Sequence, residues 1–321
     1  MLTAVSRDIG FPFMSSSFLI LISAFFGACE TALIRSIGTT HDFFELMTAQ
    51  YLGVSILCAL WMLKTRTSFF SPCWRLQLTR GCTGLCASVS AIILAQEILV
   101  CAAQCMLYTS PFFILLIMRL MNRERSVGFL TLLAVLAVGF GGAILVLDPT
   151  AEGITMRHLI LGGLLGLAAA CSTLLLRAVG HRKEPVVRTT FYLSTFCFIA
   201  GIIGGFFYHD AGSPLLCTEP KVLLVGLFVL IVQLCRAGGW KYGNWFVNSV
   251  FYFSGIPFAA ILGWILFDEG LGIEAVLGIA LIIAASAAAT VIERRKSVKK
   301  DAPAAAGKRS REVSPVPAAN R

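Results

Sequence analysis

The sequence predicts an all-α integral membrane protein of ten transmembrane helices, arranged as two inverted five-helix repeats with both termini in the cytoplasm. The composition, the length of the apolar runs and the placement of Lys and Arg predict this fold class. Of the 321 residues, 57% are hydrophobic and 13% are charged, whereas a soluble globular domain carries about 25% charged residues. Apolar residues in this proportion exceed what a soluble protein hides from water.

The apolar runs are long enough to cross a membrane. A helix rises about 1.5 Å per residue, so about 20 residues cross a hydrocarbon core of about 30 Å. The continuous run from Gly81 to Met118 is about twice that length and predicts a hairpin with its turn near Gln96 and Glu97. The predicted spans are 16–34, 44–63, 80–96, 99–118, 127–147, 158–178, 190–208, 221–237, 246–267 and 272–292.

The basic residues give the orientation. With ten spans, all but three of the 26 Lys and Arg residues fall on one side, and the exceptions are Arg35, Arg157 and Lys221. This count places Arg80 and Arg236 on the basic side. Because cytoplasmic loops carry the excess of Lys and Arg, both termini are expected in the cytoplasm. The net charge of +9 then follows from this bias and a basic tail, so no nucleic-acid partner is expected.

The spans divide the chain into four parts. Residues 1–15 form a cytoplasmic N-terminus, 16–149 the first repeat, 150–292 the second, and 293–321 a basic tail. The first apolar run is interpreted as a span and not a signal peptide, because nine further spans follow. The tail is rich in Lys, Arg, Ala, Pro and Ser and is expected to be disordered. Its basic side chains either contact anionic lipid headgroups or are simply solvated.

Two similar segments indicate an internal repeat. Pro111–Glu124 and Ile256–Glu269 each end an apolar span with an acidic residue and lead into a Gly- and Ala-rich span. Five spans in each half is an odd number, so the second half is inverted relative to the first. Inverted repeats are typical of secondary transporters, whose substrate site lies at the repeat interface near the membrane midplane.

Several short motifs resemble one transporter family. They are Phe-Phe-Glu-Leu (43–46), Thr-Arg-Gly (79–81), Tyr-Thr-Ser-Pro-Phe-Phe (108–113), Asn-Arg-Glu-Arg (122–125), Val-Gly-Phe-Gly-Gly-Ala-Ile-Leu-Val-Leu-Asp-Pro (138–149) and Pro-Phe-Ala-Ala-Ile-Leu-Gly-Trp-Ile-Leu-Phe-Asp-Glu (257–269). In order and spacing they resemble the drug/metabolite transporter (DMT) superfamily, in particular its EamA-type ten-helix branch, over residues 16–292.

The resemblance implies a plasma-membrane carrier, in the inner membrane of a bacterium, that often exports amino acids or other metabolites and binds no cofactor. The chain departs from the family pattern at two points. Gln50 stands where the family often has Arg, and Pro257 lies one residue later than the usual Pro. These departures leave the implied fold unchanged but weaken the transfer of a substrate.

Polar side chains inside a span are costly and require a partner or a role. Glu30 lies inside the first span, where burial penalises the charged form of a carboxylate. It is therefore a candidate to carry a coupling proton or to bind a cationic part of the substrate. The alternatives are an ion pair with Arg35 or a reach to the outer interface.

Two helical stripes supply further candidates. Asn244, Asn248 and Tyr252 are spaced by four residues, and so are Gln104 and Tyr108, so each set shares a helix face. These groups either line a substrate path or form hydrogen bonds between helices. Gln50 and Gln233 are single polar candidates. The predicted binding or coupling residues are Glu30, Gln50, Gln104, Tyr108, Gln233, Asn244, Asn248 and Tyr252.

Other groups have simpler interpretations. An interfacial aromatic belt is predicted for Trp240, Tyr242 and Trp245. Solvation near the outer surface is expected for most of Glu45, Glu97, Asp268 and Glu269. Close helix contacts are predicted at the GxxxG pairs Gly162/Gly166 and Gly201/Gly205. The 11 cysteines are interpreted as packing residues, since no CxxC pair or His spacing indicates a metal site.

The function that these patterns favour is secondary active transport of a small polar metabolite, with export the preferred direction. No P-loop, HExxH or GxSxG motif is present in the sequence, so neither an enzyme nor an ATP-driven pump is expected. An uptake carrier for a larger nucleotide-like or vitamin-like metabolite is one alternative. A non-transporting scaffold or receptor that uses the basic tail is another. An intramembrane enzyme would need a cluster of His and acidic residues at one membrane face, and the sequence indicates none.

Overall fold

The computed structural model describes residues 16–121, 154–208, 219–243, 245–270, 272–274 and 276–285, with the single residues 134, 137, 138, 141 and 288. Over these residues the regular secondary structure is helical, and no strand occurs among them. The predicted fifth span, 127–147, lies almost entirely outside the described residues, as do the two termini, 1–15 and 293–321.

The described helices follow one another in chain order. They are α1 (Ser16–Ile37), α2 (Phe43–Lys64), α3 (Trp74–Glu97), α4 (Val100–Leu107), α5 (Ser110–Leu120), α6 (Met156–His181), α7 (Val186–Tyr208), α8 (Pro220–Tyr242), α9 (Trp245–Tyr252), α10 (Gly255–Phe267) and α11 (Val276–Ala285). Seven segments are long and apolar enough to cross a membrane: α1, α2, α3, α6, α8, most of α7, and Val247–Phe267 across α9 and α10. The protein is therefore a multi-pass membrane protein.

Two of the predicted spans are broken. The span 99–118 is divided into α4 and α5 by a turn at Tyr108, and the span 246–267 into α9 and α10 by a turn at Phe253. A proline follows each break, Pro111 in the first and Pro257 in the second. Proline donates no backbone hydrogen bond, and its ring clashes with the carbonyl four residues earlier. Those carbonyls belong to Leu107 and Phe253, where the two helices are interrupted.

The ends of three helices meet at one side of the bundle. Arg35 Nη1 donates to the Gln96 carbonyl at 2.9 Å, and Gln96 Nε2 donates to the carbonyls of Gly38 and His41 at 2.8 and 3.0 Å. The start of α6 joins them through His158. We call this side, where α1 and α3 end and α2, α4 and α6 begin, the Gln96 end.

The opposite side joins the remaining helix ends. Ser71 Oγ donates to Glu184 Oε1 at 2.7 Å, which ties the α2–α3 loop to the α6–α7 loop. Ser17 Oγ donates to Asn248 Oδ1 at 3.4 Å, which ties the start of α1 to α9. We call this side the Ser71 end. From α1 to α3 the direction of the chain alternates between the two ends. It does so again from α6 through α7 and α8 to the broken span of α9 and α10.

Apolar side chains fill the bundle in two large clusters. One joins α2, α7 and α8 through Leu46, Val54, Cys197 and Val229, and the other joins α4, α8, α9 and α10 through Tyr108, Trp240, Val250 and Ile256. Large apolar side chains such as those of Leu60, Phe206 and Phe207 are exposed, as expected of residues that face lipid.

Three of the four predicted GxxxG glycines, Gly162, Gly166 and Gly201, lie at close helix contacts. A Cβ on Gly162 would meet Met106 of α4, one on Gly166 would meet Thr109 in the first helix break, and one on Gly201 would meet Thr48 of α2. Small residues allow this approach of helix backbones in membrane proteins. The contact of α6 with α4 and α5 places both parts of the broken span against one continuous helix.

Candidate functional site

A cavity of about 90 Å³ lies in the middle of the bundle. Side chains from α1, α2, α3, α4, α6, α7, α8 and α9 line it. This volume holds several water-sized groups, since one water needs about 10–15 Å³ on the same measure. The polar and charged lining residues include Glu30, Gln50, Tyr51, Arg80, Ser88, Gln104, Tyr108, Ser172, Thr173, Gln233, Arg236 and Tyr252.

Glu30 and Arg236 face this cavity from α1 and α8. The two side chains interact electrostatically but form no ion pair with each other. Among the described residues Glu30 makes no hydrogen bond or ion pair, so its carboxylate is presented to the cavity. Arg35, the alternative partner predicted from the sequence, is bonded to the Gln96 carbonyl instead. The alternative of a Glu30–Arg35 ion pair is therefore wrong.

Arg236 is held by an aromatic ring. Its guanidinium carbon lies 5.6 Å from the ring centroid of Tyr252, within the range of a cation–π contact. This contact orients the guanidinium without occupying its five N–H donors. Arg236 therefore keeps donors available to an anion in the cavity.

Arg80 is a second guanidinium at the same cavity. It lies on α3 and is only 2% exposed. Its Nη1 donates to the Thr189 carbonyl at 2.8 Å, while its Nε has no partner among the described residues. Arg80 and Arg236 interact electrostatically. A buried cation with an unused donor is costly unless an anion or water compensates it.

The positions of these arginines correct the sequence analysis. Counting Lys and Arg by side treated Arg80 and Arg236 as cytoplasmic, but both lie within transmembrane helices, six residues or about 9 Å from the nearer helix end. A signal for Arg236 was present in the sequence. Gln233, already a candidate, precedes it by three residues and so shares its helix face.

Two buried glutamines contribute unpaired acceptors. Gln104 Nε2 donates to the Gly27 carbonyl at 2.9 Å and to Thr31 Oγ1, which fixes α4 against α1 beside Glu30. The Oε1 atoms of Gln104 and Gln50 have no hydrogen-bond donor among the described residues. Both residues line the cavity. Buried amide oxygens normally find a donor, and a bound molecule would supply one here.

The two helix breaks meet at the cavity wall. Tyr108 lies at the first helix break, and Tyr252 is the residue immediately before the second helix break. Their ring centroids are 4.5 Å apart with an interplanar angle of 80°. Gly255 lies so close to the Tyr108 phenol that a Cβ there would clash with it. Elsewhere in the cavity lining, the hydroxyls of Tyr51 and Ser88 are hydrogen-bonded at 2.7 Å.

The structure brings together most of the predicted site residues. Six of the eight line the cavity: Glu30, Gln50, Gln104, Tyr108, Gln233 and Tyr252. Asn248 does not. Its Nδ2 donates to the Gly239 carbonyl at 2.8 Å and its Oδ1 accepts from Ser17, so it forms hydrogen bonds between helices. Asn244 lies outside the described residues. Arg80, Arg236, Tyr51 and Ser88 were not predicted.

Acidic residues expected to be solvated instead make specific contacts at the Gln96 end. Glu45 is 4% exposed and bonds to His41 at 3.2 Å. Glu97 bonds to His158 at 2.9 Å and to Arg157 at 3.1 Å. Glu269 accepts from the Val100 N–H at 3.2 Å, and burial raises the pKa of its carboxyl. The contacts of Glu97 and Glu269 join neighbouring helices, and solvation does not explain them.

Trp240 also departs from the sequence prediction. The sequence predicts an interfacial position for Trp240, but its side chain is only 2% exposed and packs in the core cluster of α8, α9 and α10. The side chain of Trp245 lies outside the described part of the structure. In the residues that the structure describes, the cysteines are free and no three metal-ligating side chains cluster.

Comparison with known proteins gives a fold and no function. No protein-family model matches the chain, and no curated protein matches it. The structure is similar to a solved crystal structure described only as that of a protein, with a TM-score of 0.70 and 17% sequence identity. The match covers 87% of this chain and 99% of that one. The fold is therefore shared with a solved structure along nearly its whole length.

Proposed function

We propose that this chain is a secondary active transporter that moves a small polar metabolite, an amino acid or a related compound, across the plasma membrane by alternating access. The observation that carries the proposal is the pair Glu30 and Arg236, two opposite charges inside a membrane bundle that face one cavity without bonding to each other. Intramembrane charges of this kind mark substrate and ion pathways. The resemblance to EamA-type carriers favours export and a bacterial inner membrane.

The helix breaks support a ten-helix fold of two inverted repeats, residues 16–149 and 150–292. They occur at corresponding places of the two proposed halves, each shortly before a proline, and both reach the cavity. Interrupted helices in corresponding positions of two halves indicate the binding site of a transporter. α5 runs towards the Ser71 end, whereas α6 begins at the Gln96 end. One further membrane span between α5 and α6 would make this connection.

Orientation follows from the basic residues. With the positive-inside rule the Ser71 end is cytoplasmic and the Gln96 end faces outward. Both proposed termini are then cytoplasmic, because α1 starts on the Ser71 side and α11 runs back from the Gln96 end, where α10 finishes. The unpaired Glu30 carboxylate lies between the ends, where it serves either to carry a coupling proton or to bind a cationic group of the substrate.

Polar contacts at both ends support alternating access. Glu97 and His158 join α3 to α6 at the outward end, while Ser71 and Glu184 join two loops at the cytoplasmic end. Each set of contacts joins helix ends or loops at one end of the bundle. In a rocking mechanism one set opens while the other stays closed.

The experiment that tests the proposal measures uptake and efflux of labelled metabolites, amino acids foremost, in cells with and without the protein. Flux is measured again after collapse of the proton gradient. We expect protein-dependent flux in the wild type and its loss in Glu30→Gln. The matched control is Glu274→Gln, which removes an exposed carboxylate that does not line the cavity. Wild-type flux in the Glu30 variant, or no flux with any compound, contradicts the proposal.

A further inference from the structure

The fixed charges at the cavity do not balance. Arg80 and Arg236 bring two guanidiniums and Glu30 brings one carboxylate, and these are the charged residues among the described lining residues. None of the three forms an ion pair within the part of the chain that the structure describes. Charges removed from water are costly unless they are paired, and a bound molecule with a net negative charge would supply the missing anionic charge.

Donors and acceptors occupy different levels of the bundle. Arg80 and Arg236 each lie six residues, or about 9 Å, from the Ser71 end of their helices. Glu30 and Gln50 each lie seven residues, or about 10 Å, from the Gln96 end. Gln104 lies four residues, or about 6 Å, from that end. The cavity therefore has a cationic pole towards the Ser71 end and an acceptor pole towards the Gln96 end.

Each pole matches one kind of chemical group. The planar fork of a guanidinium fits a carboxylate with two parallel hydrogen bonds. An ammonium group has three donors and no acceptor, which suits the Glu30 carboxylate and the unpaired Oε1 atoms of Gln50 and Gln104. Two guanidiniums and one carboxylate are the complement of two carboxylates and one ammonium group.

We propose that the substrate is an α-amino dicarboxylate, an acidic amino acid with two carboxylates at the arginine pole and its ammonium group at the Glu30 pole. This inference rests on the proposed transport function and assigns the substrate class of the same cavity. A neutral amino acid would leave one guanidinium uncompensated. A dicarboxylate without an amino group would leave Glu30 uncompensated, and a buried unpaired charge is strongly unfavourable.

The first test measures binding to the purified full-length protein in detergent by thermal stabilisation. L-glutamate and L-aspartate are compared with L-alanine, which lacks the second carboxylate, and with succinate, which lacks the ammonium group. We expect the acidic amino acids to bind at least about tenfold more tightly than either comparison compound. Equal or tighter binding of alanine or succinate overturns the inference.

Two variants assign the poles. Arg236→Gln should lower the affinity for glutamate about tenfold or more while changing that for alanine less, because alanine needs only one guanidinium. Glu30→Gln should remove the preference for glutamate over succinate. Glu274→Gln is the control and should bind as the wild type. If both cavity variants fold normally and keep the wild-type preference for glutamate over alanine and over succinate, the inference is overturned.

Binding and transport outcomes are distinguishable. Glutamate binding together with glutamate flux in the cell assay supports both proposals. Flux of neutral amino acids without glutamate binding leaves the transporter standing and overturns the substrate class. Glutamate binding without flux of any compound supports the site and contradicts the transport function. Absence of both contradicts both.

Discussion

The phenol rings of Tyr108 and Tyr252 meet edge to face at the wall of the central cavity, with their centroids 4.5 Å apart. Each ring lies at the break of an interrupted helix, and the two breaks belong to different halves of the chain. Arg236 rests against one of the rings. The pair therefore links the two proposed repeats at the point where the substrate would bind.

The ring of Tyr252 is expected to be required for transport. Tyr252→Ala removes the contact with Tyr108, worth about 0.5–1.5 kcal/mol beyond burial, and frees the Arg236 guanidinium to turn away from the cavity. We expect flux to fall at least about tenfold in Tyr252→Ala and to be largely kept in Tyr252→Phe, which retains the ring. Flux of purified protein in liposomes checks this, and equal losses in the two variants would argue against the role of the ring.

The helix break at Gly255 should tolerate no larger side chain. Gly255→Ala directs a methyl group into the Tyr108 phenol, and overpacking of this kind costs about 1–3 kcal/mol. The matched control is Gly163→Ala, where an added Cβ meets nothing within 4 Å. Thermal unfolding in detergent should show a lower Tm for Gly255→Ala only. A normal Tm in that variant would show that the two breaks do not pack as described.

Asn248 should matter for stability and not for binding. Asn248→Ala removes the hydrogen bond donated to the Gly239 carbonyl and the one accepted from the Ser17 hydroxyl, while the Gly239 carbonyl keeps the Gly243 N–H as a donor. Each lost hydrogen bond costs about 0.5–1.5 kcal/mol. Because Asn248 does not line the cavity, the variant that folds should bind substrate as the wild type does. Measurement of Tm and of ligand affinity on the same sample separates the two effects. Lost affinity at unchanged Tm would return Asn248 to the binding site.

Glu269 should make stability depend on pH. Burial raises the pKa of its carboxyl, while the Val100 N–H and Arg35 oppose the shift. The folded protein therefore holds this proton to a higher pH than the unfolded chain. Stability falls as pH rises from the ordinary glutamate pKa through the raised value, and it is regained as pH falls.

Glu269→Gln removes the ionisable group and keeps an oxygen to accept from Val100. This variant should be more stable than the wild type at pH 7, and the difference should shrink towards pH 4. Glu274→Gln, which changes an exposed carboxylate, should show no such trend. Thermal unfolding across this range is the measurement. If Glu269→Gln and the wild type differ in stability by the same amount at every pH, Glu269 is not the source of the pH dependence.

The membrane-spanning character was predictable because it depends on the length and composition of the apolar runs. The breaks at Tyr108 and Phe253 were not predicted, since the flanking residues are apolar on both sides and only Pro111 and Pro257 indicate them. Each proline indicates the position of its break, because its ring clashes with the carbonyl four residues earlier.

The candidate site was predictable in part. Glu30, Gln50 and Gln104 stand out because a polar group inside an apolar run needs an explanation. Arg80 and Arg236 were not identified as site residues, because an arginine near the end of a predicted span is equally consistent with a position in the loop. Helices that are apolar all round show little periodicity, so the sequence does not tell which face an arginine occupies. The contact of Arg80 with Thr189 and that of Arg236 with Tyr252 determine which face each arginine occupies.

Counterflow in liposomes separates a carrier from a scaffold or a channel. Liposomes that contain the purified protein are loaded with unlabelled L-glutamate and diluted into a trace of labelled glutamate. An alternating-access carrier predicts a transient accumulation of label above equilibrium, which Glu30→Gln and Arg236→Gln abolish and Glu274→Gln retains. Label that never exceeds equilibrium for glutamate or any other amino acid, or an overshoot that survives in both cavity variants, would contradict transport through this cavity.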